Sequence, residues 1–261
     1  MLNKGKVYIV GAGPGDIDLI TIKGKRAIEE ADIIFYDRLI NQQLLTYAKE
    51  DVELVFCGKK PNYVAVSQET INKLLVKHAQ KGKIVTRLKG GDPFVYGRGG
   101  EEAAYLAANN IRYEIVPGIT SGLAAPAYAG IPVTHRNVSR SFTVISGHDP
   151  NLQKEQWELY AKGSETLLIY MGMKHLATIV AQLIKHGKHA QTPVAIVHWG
   201  TTAEQRVLTG TLETITEQVG ESRMKNPALI VIGEVVSLQT ELAWFHETEK
   251  WSYEATNESF R

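Results

Sequence analysis

The sequence contains few of the residues from which disulfide frameworks and metal centres are built. Its 261 residues include one cysteine, Cys57, so no disulfide can form within the chain and a cysteine-rich zinc site is excluded. A lone cysteine is typical of proteins in a reducing compartment. The first residues, MLNKGK, lack the apolar stretch of a signal peptide. We therefore expect a cytoplasmic protein.

Long apolar runs and a strong net charge are also lacking. No segment reaches the ~18 consecutive apolar residues of a membrane span, so we expect no membrane partner. The formal net charge is +1, which gives no global field to attract nucleic acid. An acidic small-molecule ligand would need a local group of arginines and lysines. Hydrophobic residues make up 44% of the chain, which at this length is enough for a substantial core.

Short apolar runs alternate with amphipathic segments in the first half of the chain. The runs predict strands at 7–10, 32–36, 53–56, 84–88 and 113–116. The segments between them predict helices at 22–30, 68–80 and 100–109. Strands and helices that take turns along the chain indicate a mostly parallel sheet with helices on both faces.

The pattern changes after residue 136. Strand-like runs occur at 142–145, 166–171, 194–197, 206–208 and 229–232, and a helical pattern covers 174–186. The stretch 147–164 is polar and rich in turn-forming residues. We therefore predict an α/β fold of two domains, an N-terminal α/β domain at 1–137 and a C-terminal α/β domain at 138–245. A polar tail follows at 246–261.

A glycine-rich loop, VGAGPGD, follows the first predicted strand. A dinucleotide-binding loop reads G-x-G-x-x-G, and Gly11 and Gly13 fit that pattern, but Asp16 stands where the third glycine belongs. Pro14 has no N–H to offer a pyrophosphate, and a carboxylate at Asp16 would repel one. The loop permits close approach of a ligand to the backbone but is unsuited to a diphosphate. The alternative is a simple tight turn between a strand and a helix.

A second glycine cluster, GGDPFVYGRGGEE, follows the predicted strand at 84–88. In open α/β sheets the carboxyl ends of the strands meet at one edge, where ligands bind. We therefore predict that the two glycine loops build one pocket from their bare backbones. Asp92 is a candidate hydrogen-bond partner for a ligand hydroxyl or amine, or it initiates an Asp-Pro turn.

In order and spacing, several segments resemble the tetrapyrrole methylases. They are VGAGPGDIDLIT, YDRLI, the Gly58-Lys59 pair, RLKGGDPFVYGRGGEEA, VPGITS, AGIPVTHR, YMGM, GTTAEQRV and PALIVIGEVV. The first segment is shared across the superfamily. The segments YDRLI, GGDPFVYGRGGEE and GIPVTHR together are similar to the branch of the family that acts on uroporphyrinogen III. The resemblance runs from about Lys6 to Trp244.

The resemblance implies a fold and an activity. The family has two α/β domains with the active site in the cleft between them, and its members are usually homodimers. They use S-adenosyl-L-methionine as methyl donor, which carries a sulfonium and no phosphate. In the branch resembled here, uroporphyrinogen III is methylated at carbons C2 and C7 to give precorrin-2, which leads to sirohaem and cobalamin. On this interpretation residues 1–137 face the substrate and residues 138–245 complete the cofactor pocket.

Matching the family motifs position by position gives candidate binding residues. Those for the cofactor are Pro14, Gly90, Gly91, Asp92, Val95, Thr120, Ser121, Met171, Gly200 and Ala228. Val95 departs from the isoleucine common in close relatives, and the alternative for Met171 and Ala228 is plain core packing. Candidates for the substrate, which carries eight carboxylates, are Arg38, Arg98 and His135. Other basic residues beside these loops are Lys59, Lys60, Arg87, Arg136 and Arg140, each of which is otherwise a solvated surface charge.

Two further residues match proposed catalytic positions of the family. Asp37 matches the proton acceptor, and its alternative role is a loop carboxylate paired with Arg38. Lys59 matches the proton donor, but it is equally suited to anchor a substrate carboxylate, because an ordinary ammonium is a weak acid near neutral pH. His186 and His189 have no third ligand near them in the sequence, so we predict no metal.

Two other functions stay open at this point. One is a methyltransferase that acts on a later precorrin, because such enzymes share the first glycine loop. The other is a Rossmann-type nucleotide-binding module, which the departures of the first loop from the dinucleotide pattern disfavour.

Overall fold

The computed structural model describes residues 5–58 and 67–245. Lys59, Lys60 and the predicted polar tail at 246–261 lie outside the described residues. Within the described parts of the chain there are two five-stranded sheets with helices packed on their faces. The predicted α/β class is therefore confirmed, while the domain boundary at 137 stays a prediction.

The first sheet is wholly parallel and has the strand order β3-β2-β4-β1-β5. Its strands are β1 (Lys6–Gly11), β2 (Ile33–Tyr36), β3 (Glu53–Phe56), β4 (Ile84–Lys89) and β5 (Arg112–Val116). Between them run α1 (Ile22–Glu29), α2 (Gln68–Gln80) and α3 (Gly99–Ala108). Side chains alternate across the sheet, so Ile9 packs in one core cluster and Val10 in the cluster on the opposite face.

The second sheet is mixed, with the strand order β6-β7-β10-β8-β9. Its strands are β6 (Phe142–Ser146), β7 (Thr166–Tyr170), β8 (Pro193–His198), β9 (Arg206–Thr211) and β10 (Ala228–Ile232). Only β6 and β7 pair in parallel among these strands. Helix α4 (Ser121–Tyr128) lies between β5 and β6 in the sequence. The later helices are α5 (Lys154–Gly163), α6 (Leu176–Lys185), α7 (Ile215–Ser222) and α8 (Gln239–Leu242).

Helix α4 follows the first sheet in sequence but packs on the second. Its Ala125 is buried in one cluster with Leu168 of β7 and Leu229 of β10. The opposite face of the second sheet is covered by α5, α6 and α7, with Trp157 and Leu183 fully packed. The helix therefore belongs to the first half by its place in the sequence and to the apolar core of the second half by its packing.

Two helices depart from the sequence expectations. The stretch 147–164, read as polar turns, contains α5, whose Trp157 and Ala161 are buried while its charged residues face outward. Two apolar side chains at i and i+4 are too few for a periodic pattern to be evident in the sequence. Helix α4 is apolar all round and contains Pro126, so it also lacks the amphipathic signature.

Three glycine backbones meet where β1, β4 and β5 end. A Cβ atom on Gly118, in the loop after β5, would overlap the Gly91 carbonyl oxygen and lie 2.7 Å from Gly11 Cα. A Cβ on Gly11 would in turn lie 2.6 Å from Gly118 Cα. The strand ends can approach this closely because none of these residues carries a side chain.

Gly118→Ala should destabilise the protein, because the added methyl group must push backbone atoms apart. We expect the free energy of unfolding to fall by about 1–3 kcal/mol in denaturant titrations. Gly220→Ala is the matched control, because nothing lies within 4 Å of a Cβ at that position in α7. The control should gain about 0.5–1 kcal/mol from its higher helix propensity. Equal stability of Gly118→Ala and the parent protein would contradict the close contact.

Candidate active site

The two glycine loops are joined by backbone hydrogen bonds. The Gly13 N–H donates to the Gly91 carbonyl over 3.2 Å, and the Gly91 N–H donates to the Gly13 carbonyl over 2.7 Å. Both glycines have left-handed backbone angles, with φ of +77° at Gly13 and +68° at Gly91. Other residues adopt this conformation only with strain. The structure thus brings the two predicted loops together at the edge of the first sheet.

Asp92 fixes the second loop from within. Its Oδ1 accepts from the Phe94 N–H over 2.8 Å, which is the expected Asp-Pro turn. Its Oδ2 accepts from the Gly118 N–H over 3.0 Å and so ties the loop after β4 to the loop after β5. Both oxygens are engaged with the backbone, so the first role of Asp92 is to hold these loops in register.

An open space lies in front of Gly91. A Cβ at Gly91 would meet nothing closer than Thr120 Cα at 3.8 Å and Ser121 N at 3.9 Å. Thr120 Oγ1 is 2.6 Å from the hydroxyl of Tyr170, at the end of β7, and the Gly122 N–H donates to the same hydroxyl. Tyr170 was not among the predicted site residues, because a tyrosine ending an apolar strand resembles an ordinary core residue.

Asp16 connects the first loop to the second half of the chain. Its Oδ2 accepts from the Tyr128 hydroxyl over 2.7 Å, and its backbone N–H donates to Thr201 Oγ1 over 3.1 Å. Burial, and then the hydrogen bond to Asp16, raise the pKa of Tyr128 well above its usual range. The sequence analysis used Asp16 only as evidence against a bound phosphate. In the structure Asp16 also links the first loop to the second half through hydrogen bonds.

Two cavities flank the joined loops. The first has a volume of about 1110 Å³ and the second of about 680 Å³, both of ligand size. The first is lined by Pro14, Gly15, Asp16, Ile17, Asp18, residues 39–43, Tyr128, Trp199, residues 201–204, Trp244 and Phe245. The second is lined by Phe94, Tyr96, Arg98, Gly99, Gly100, Glu101, Ser146, His148 and Met171. Each cavity therefore receives residues from both halves.

The other predicted cofactor residues do not line either cavity. Gly90 packs under Leu39, and Gly200 lies so close to Ala125 of α4 that a Cβ there would overlap it. Val95 is half-buried in the loop after β4, and Ala228 opens β10 opposite His198. The candidate residues are thus distributed along the junction of the two halves, with Gly91, Asp92, Thr120 and Ser121 at its centre.

The predicted substrate residues are all exposed but are not gathered at one point. Arg98 lines the second cavity, and its guanidinium is paired with Glu101 at 2.9 and 2.6 Å. Arg38 follows Asp37 in the loop after β2. His135 lies in a tight turn closed by backbone hydrogen bonds to Ser139 and borders neither cavity. His148, which was not among the predicted site residues, also lines the second cavity.

Four charged side chains form a group that we call the buried charge cluster, made of Asp37, Arg87, Lys89 and Glu102. Arg87 Nη2 is 2.6 Å from Asp37 Oδ1, and Arg87 Nε is 3.0 Å from Glu102 Oε1. Lys89 Nζ is 3.1 Å from Glu102 Oε1 and 3.8 Å from Asp37 Oδ2. The two cations and two carboxylates balance in charge, as buried ions require.

The cluster corrects two expectations. Asp37 is paired with Arg87 and not with Arg38, which is exposed. Arg87 is only 2% exposed, so it is not part of a basic lining for substrate. Burial alone would lower the pKa of Arg87, but the Asp37 and Glu102 carboxylates raise it above its ordinary value. Burial lowers the pKa of Lys89, with Arg87 as the second cause.

Neither a metal cluster nor a membrane-crossing helix is found in the described residues. No three or more of their His, Cys, Asp and Glu side chains are grouped to hold a metal ion. Among the helices at 5–58 and 67–245, none combines the length and apolar character that a bilayer-crossing helix requires.

Comparison with known proteins identifies the family. The sequence model of the tetrapyrrole (corrin/porphyrin) methylases matches residues 6–216, so the chain belongs to this family. The resemblance noted in the sequence is confirmed. A uroporphyrinogen-III C-methyltransferase of Priestia megaterium is 60% identical over 235 residues, which cover 89% of this chain and 99% of that protein. A protein of the same name from Methanocaldococcus jannaschii is 52% identical and covers 90% of this chain and 98% of its own length.

Solved structures give the same result. Uroporphyrin-III C-methyl transferase from Thermus thermophilus, complexed with S-adenyl homocysteine, is 37% identical with a TM-score of 0.76. The match covers 90% of this chain and 100% of that one. Among the sequence relatives, a siroheme synthase of Nitrosomonas europaea is 46% identical, and the match covers 94% of this chain but 52% of that protein. The predicted tetrapyrrole methylase fold is therefore confirmed.

Cys57 should make the stability of the protein depend on pH in the alkaline range. Burial raises the pKa of its thiol to about 11, while the thiol of the unfolded chain titrates near pH 9. The stabilisation is fully present below pH 9 and is lost as the pH rises through 11, for a total of about 2–3 kcal/mol. Cys57→Ala, followed by urea unfolding between pH 8 and 11, should show a shallower decline than the parent. Parallel curves for the two proteins would count against a buried neutral thiol.

Proposed function

We propose that the protein transfers methyl groups from S-adenosyl-L-methionine to carbons C2 and C7 of uroporphyrinogen III, giving precorrin-2. The observation that carries the proposal is the 60% identity to a uroporphyrinogen-III C-methyltransferase along nearly the full length of that relative. The joined glycine loops and the flanking cavities supply a site of suitable size.

The residues at the centre of the junction fit S-adenosyl-L-methionine. Gly91 presents bare backbone to a space bounded by Thr120 and Ser121, and a side chain at position 91 would enter that space. We propose that Gly90, Gly91, Asp92, Val95, Thr120 and Ser121 contact the cofactor from the first half, together with Pro14. From the second half we propose Met171, Gly200 and Ala228. When bound, the cofactor supplies an electrophilic methyl group on a sulfonium.

The substrate is a flexible macrocycle with eight carboxylates, which need cationic partners. Arg98 and His148 on the second cavity suit such groups, because guanidinium binds carboxylate with two hydrogen bonds. The Arg98–Glu101 pair is exposed, so a substrate carboxylate can displace Glu101 at little cost. Arg38 and His135 are further proposed contacts, and Phe94 and Tyr96 offer exposed aromatic surface to the ring system.

In the proposed reaction the enzyme positions two partners and removes a proton. Attack of the electron-rich pyrrole carbon on the methyl group would break the methyl–sulfur bond and release S-adenosyl-L-homocysteine, and the methylated ring would carry a positive charge until a proton leaves. Asp37 is the proposed acceptor of that proton. Its carboxylate lies at the end of β2, and because 30% of its side chain is exposed, a bound substrate can reach it. Lys59 either donates a proton or anchors a substrate carboxylate, and it lies outside the described residues.

A direct assay tests the function. The purified protein is mixed with methyl-labelled S-adenosyl-L-methionine and freshly reduced uroporphyrinogen III. We expect two labelled methyl groups per macrocycle, detected by chromatography and mass spectrometry. Absence of label in the tetrapyrrole would refute the proposal. A cobalt precorrin-4 methyltransferase is 28% identical with a TM-score of 0.77, so a parallel assay supplies a later precorrin as substrate. Preferential labelling of that precorrin would favour the alternative function.

Gly91→Val should weaken cofactor binding, because the new side chain would occupy the space in front of Thr120 and Ser121. The expected loss of affinity for S-adenosyl-L-homocysteine, measured by calorimetry, is at least about tenfold. Gly220→Val in α7 serves as control, because nothing lies within 4 Å of a Cβ at that position. Unchanged affinity of the Gly91 variant would remove this residue from the proposed pocket.

We also propose a homodimer in the cytoplasm. The family usually forms homodimers, and several large apolar side chains are exposed in the single chain, including Phe94, Leu123 and Trp199. A single free cysteine is compatible with a reducing compartment. Light scattering on the purified protein would give the oligomeric state.

A further inference from the structure

The buried charge cluster has one member that faces the solvent. Asp37 has 30% of its side chain exposed, whereas the side chains of Arg87, Lys89 and Glu102 are between 0 and 4% exposed. Asp37 is therefore partly open to solvent, contacts Arg87 and Lys89 directly, and is linked to Glu102 through these two cations. The proposed reaction uses Asp37 and leaves its supporting residues without an assigned role.

Arg87 is fixed by more partners than Asp37 alone. Its Nη1 donates to the backbone carbonyls of Phe35 and Leu88, each over 3.4 Å. Its Nε donates to Glu102 Oε1 over 3.0 Å, and its Nη2 donates to Asp37 Oδ1 over 2.6 Å. A planar guanidinium that satisfies acceptors on three sides cannot rotate without breaking several bonds. The position of Nη2, and so of the Asp37 oxygen bound to it, is determined by β2, β4 and α3.

Glu102 holds the two cations of the cluster in place. It lies in the first turn of α3 and is fully buried, and its Oε1 accepts from Arg87, Lys89 and Gln68. Gln68 begins α2 and reaches Glu102 over 3.0 Å. Two helices and one strand thus converge on a single carboxylate oxygen. That oxygen orients the cations that contact Asp37.

Stability alone does not account for such a cluster. Buried ion pairs lose hydration energy that their mutual attraction often fails to recover, and apolar replacements of similar volume are frequently as stable. Apolar side chains could occupy the buried positions of the cluster, because the neighbouring positions hold the buried apolar residues Phe35 and Leu88. The cluster contacts one exposed side chain, Asp37, and a role at that residue is the alternative to a purely structural one.

We propose that Arg87 and Glu102 are positioning residues that hold the Asp37 carboxylate in the one orientation that serves proton removal. This inference rests on the proposed function, in which Asp37 accepts the proton. A carboxylate on an exposed loop otherwise samples several rotamers, and a misplacement of about 1 Å can reduce a catalysed rate about a hundredfold. The fixed guanidinium selects one rotamer before substrate binds.

A double-mutant cycle on turnover tests the proposal. We expect Arg87→Met to lower kcat about a hundredfold while KM for uroporphyrinogen III and the Kd for S-adenosyl-L-homocysteine change less than about twofold. In a protein that already carries Asp37→Asn, the same change should alter the residual kcat by less than about twofold, because its target has been removed. Equal fold-losses in both backgrounds would show that Arg87 does not act through Asp37 and would overturn the proposal.

Further variants guard against a simple failure to fold. Glu102→Gln keeps the shape of the side chain and should lower kcat as Arg87→Met does. In the Asp37→Asn background, Glu102→Gln should leave the residual kcat nearly unchanged. Arg87→Lys keeps the charge but cannot reach all the acceptors, so it should restore only part of the rate. Glu69→Gln is the control, because it breaks an exposed ion pair with Lys73 on α2 that includes no member of the buried charge cluster. Its kcat should equal that of the parent.

Crystal structures of the parent and of Arg87→Met decide the question independently of activity. We expect the Asp37 carboxylate to leave its rotamer when Nη2 is removed. An Asp37 side chain that stays in place in the variant would overturn the positioning role even if kcat falls. A parent protein that methylates no tetrapyrrole would refute the proposed function, and the crystallographic comparison would still accept or reject the positioning role of Arg87.

Discussion

The contact between bare backbones at the ends of β1, β4 and β5 is the constraint on which the site depends. Gly13 and Gly91 are hydrogen-bonded to each other, and Gly11 and Gly118 approach so closely that neither has room for a Cβ atom. Asp92 then links the loops after β4 and β5 through the Gly118 N–H. Because these loops are locked together, the open space before Thr120 has fixed walls.

Charge is distributed around this contact according to depth. Deep in the first sheet, the buried charge cluster is neutral as a whole and exposes only Asp37. Nearer the surface, Asp16 joins the first loop to Tyr128 and Thr201. The charges deep in the sheet are thus paired with one another, whereas Arg38 and Arg98 stay exposed.

Much of the fold could be predicted because local patterns and tertiary structure agree in the first half. Strand β3 and helix α2 have the predicted bounds, and the two glycine loops were expected to meet. The family resemblance then supplied candidates that no local rule gives. The sequence offered Arg38 only as an alternative partner for Asp37, and it did not indicate Arg87, because that residue is fifty positions away and pairing across strands cannot be read from neighbours in sequence. Tyr170 and α5 were missed because their roles depend on which surfaces they meet.

Helix α4 has a consequence for how the protein can be divided. It emerges from the first sheet, yet Ala125 and Ala129 lie in the apolar cluster of the second. A fragment that ends at residue 137 would carry this helix with its apolar side facing water. The remaining fragment would expose one face of its sheet, including Leu168 and Leu229. During synthesis α4 is made before β7 and β10, the strands against which it packs. The helix can therefore bury its apolar side only after those strands have been made.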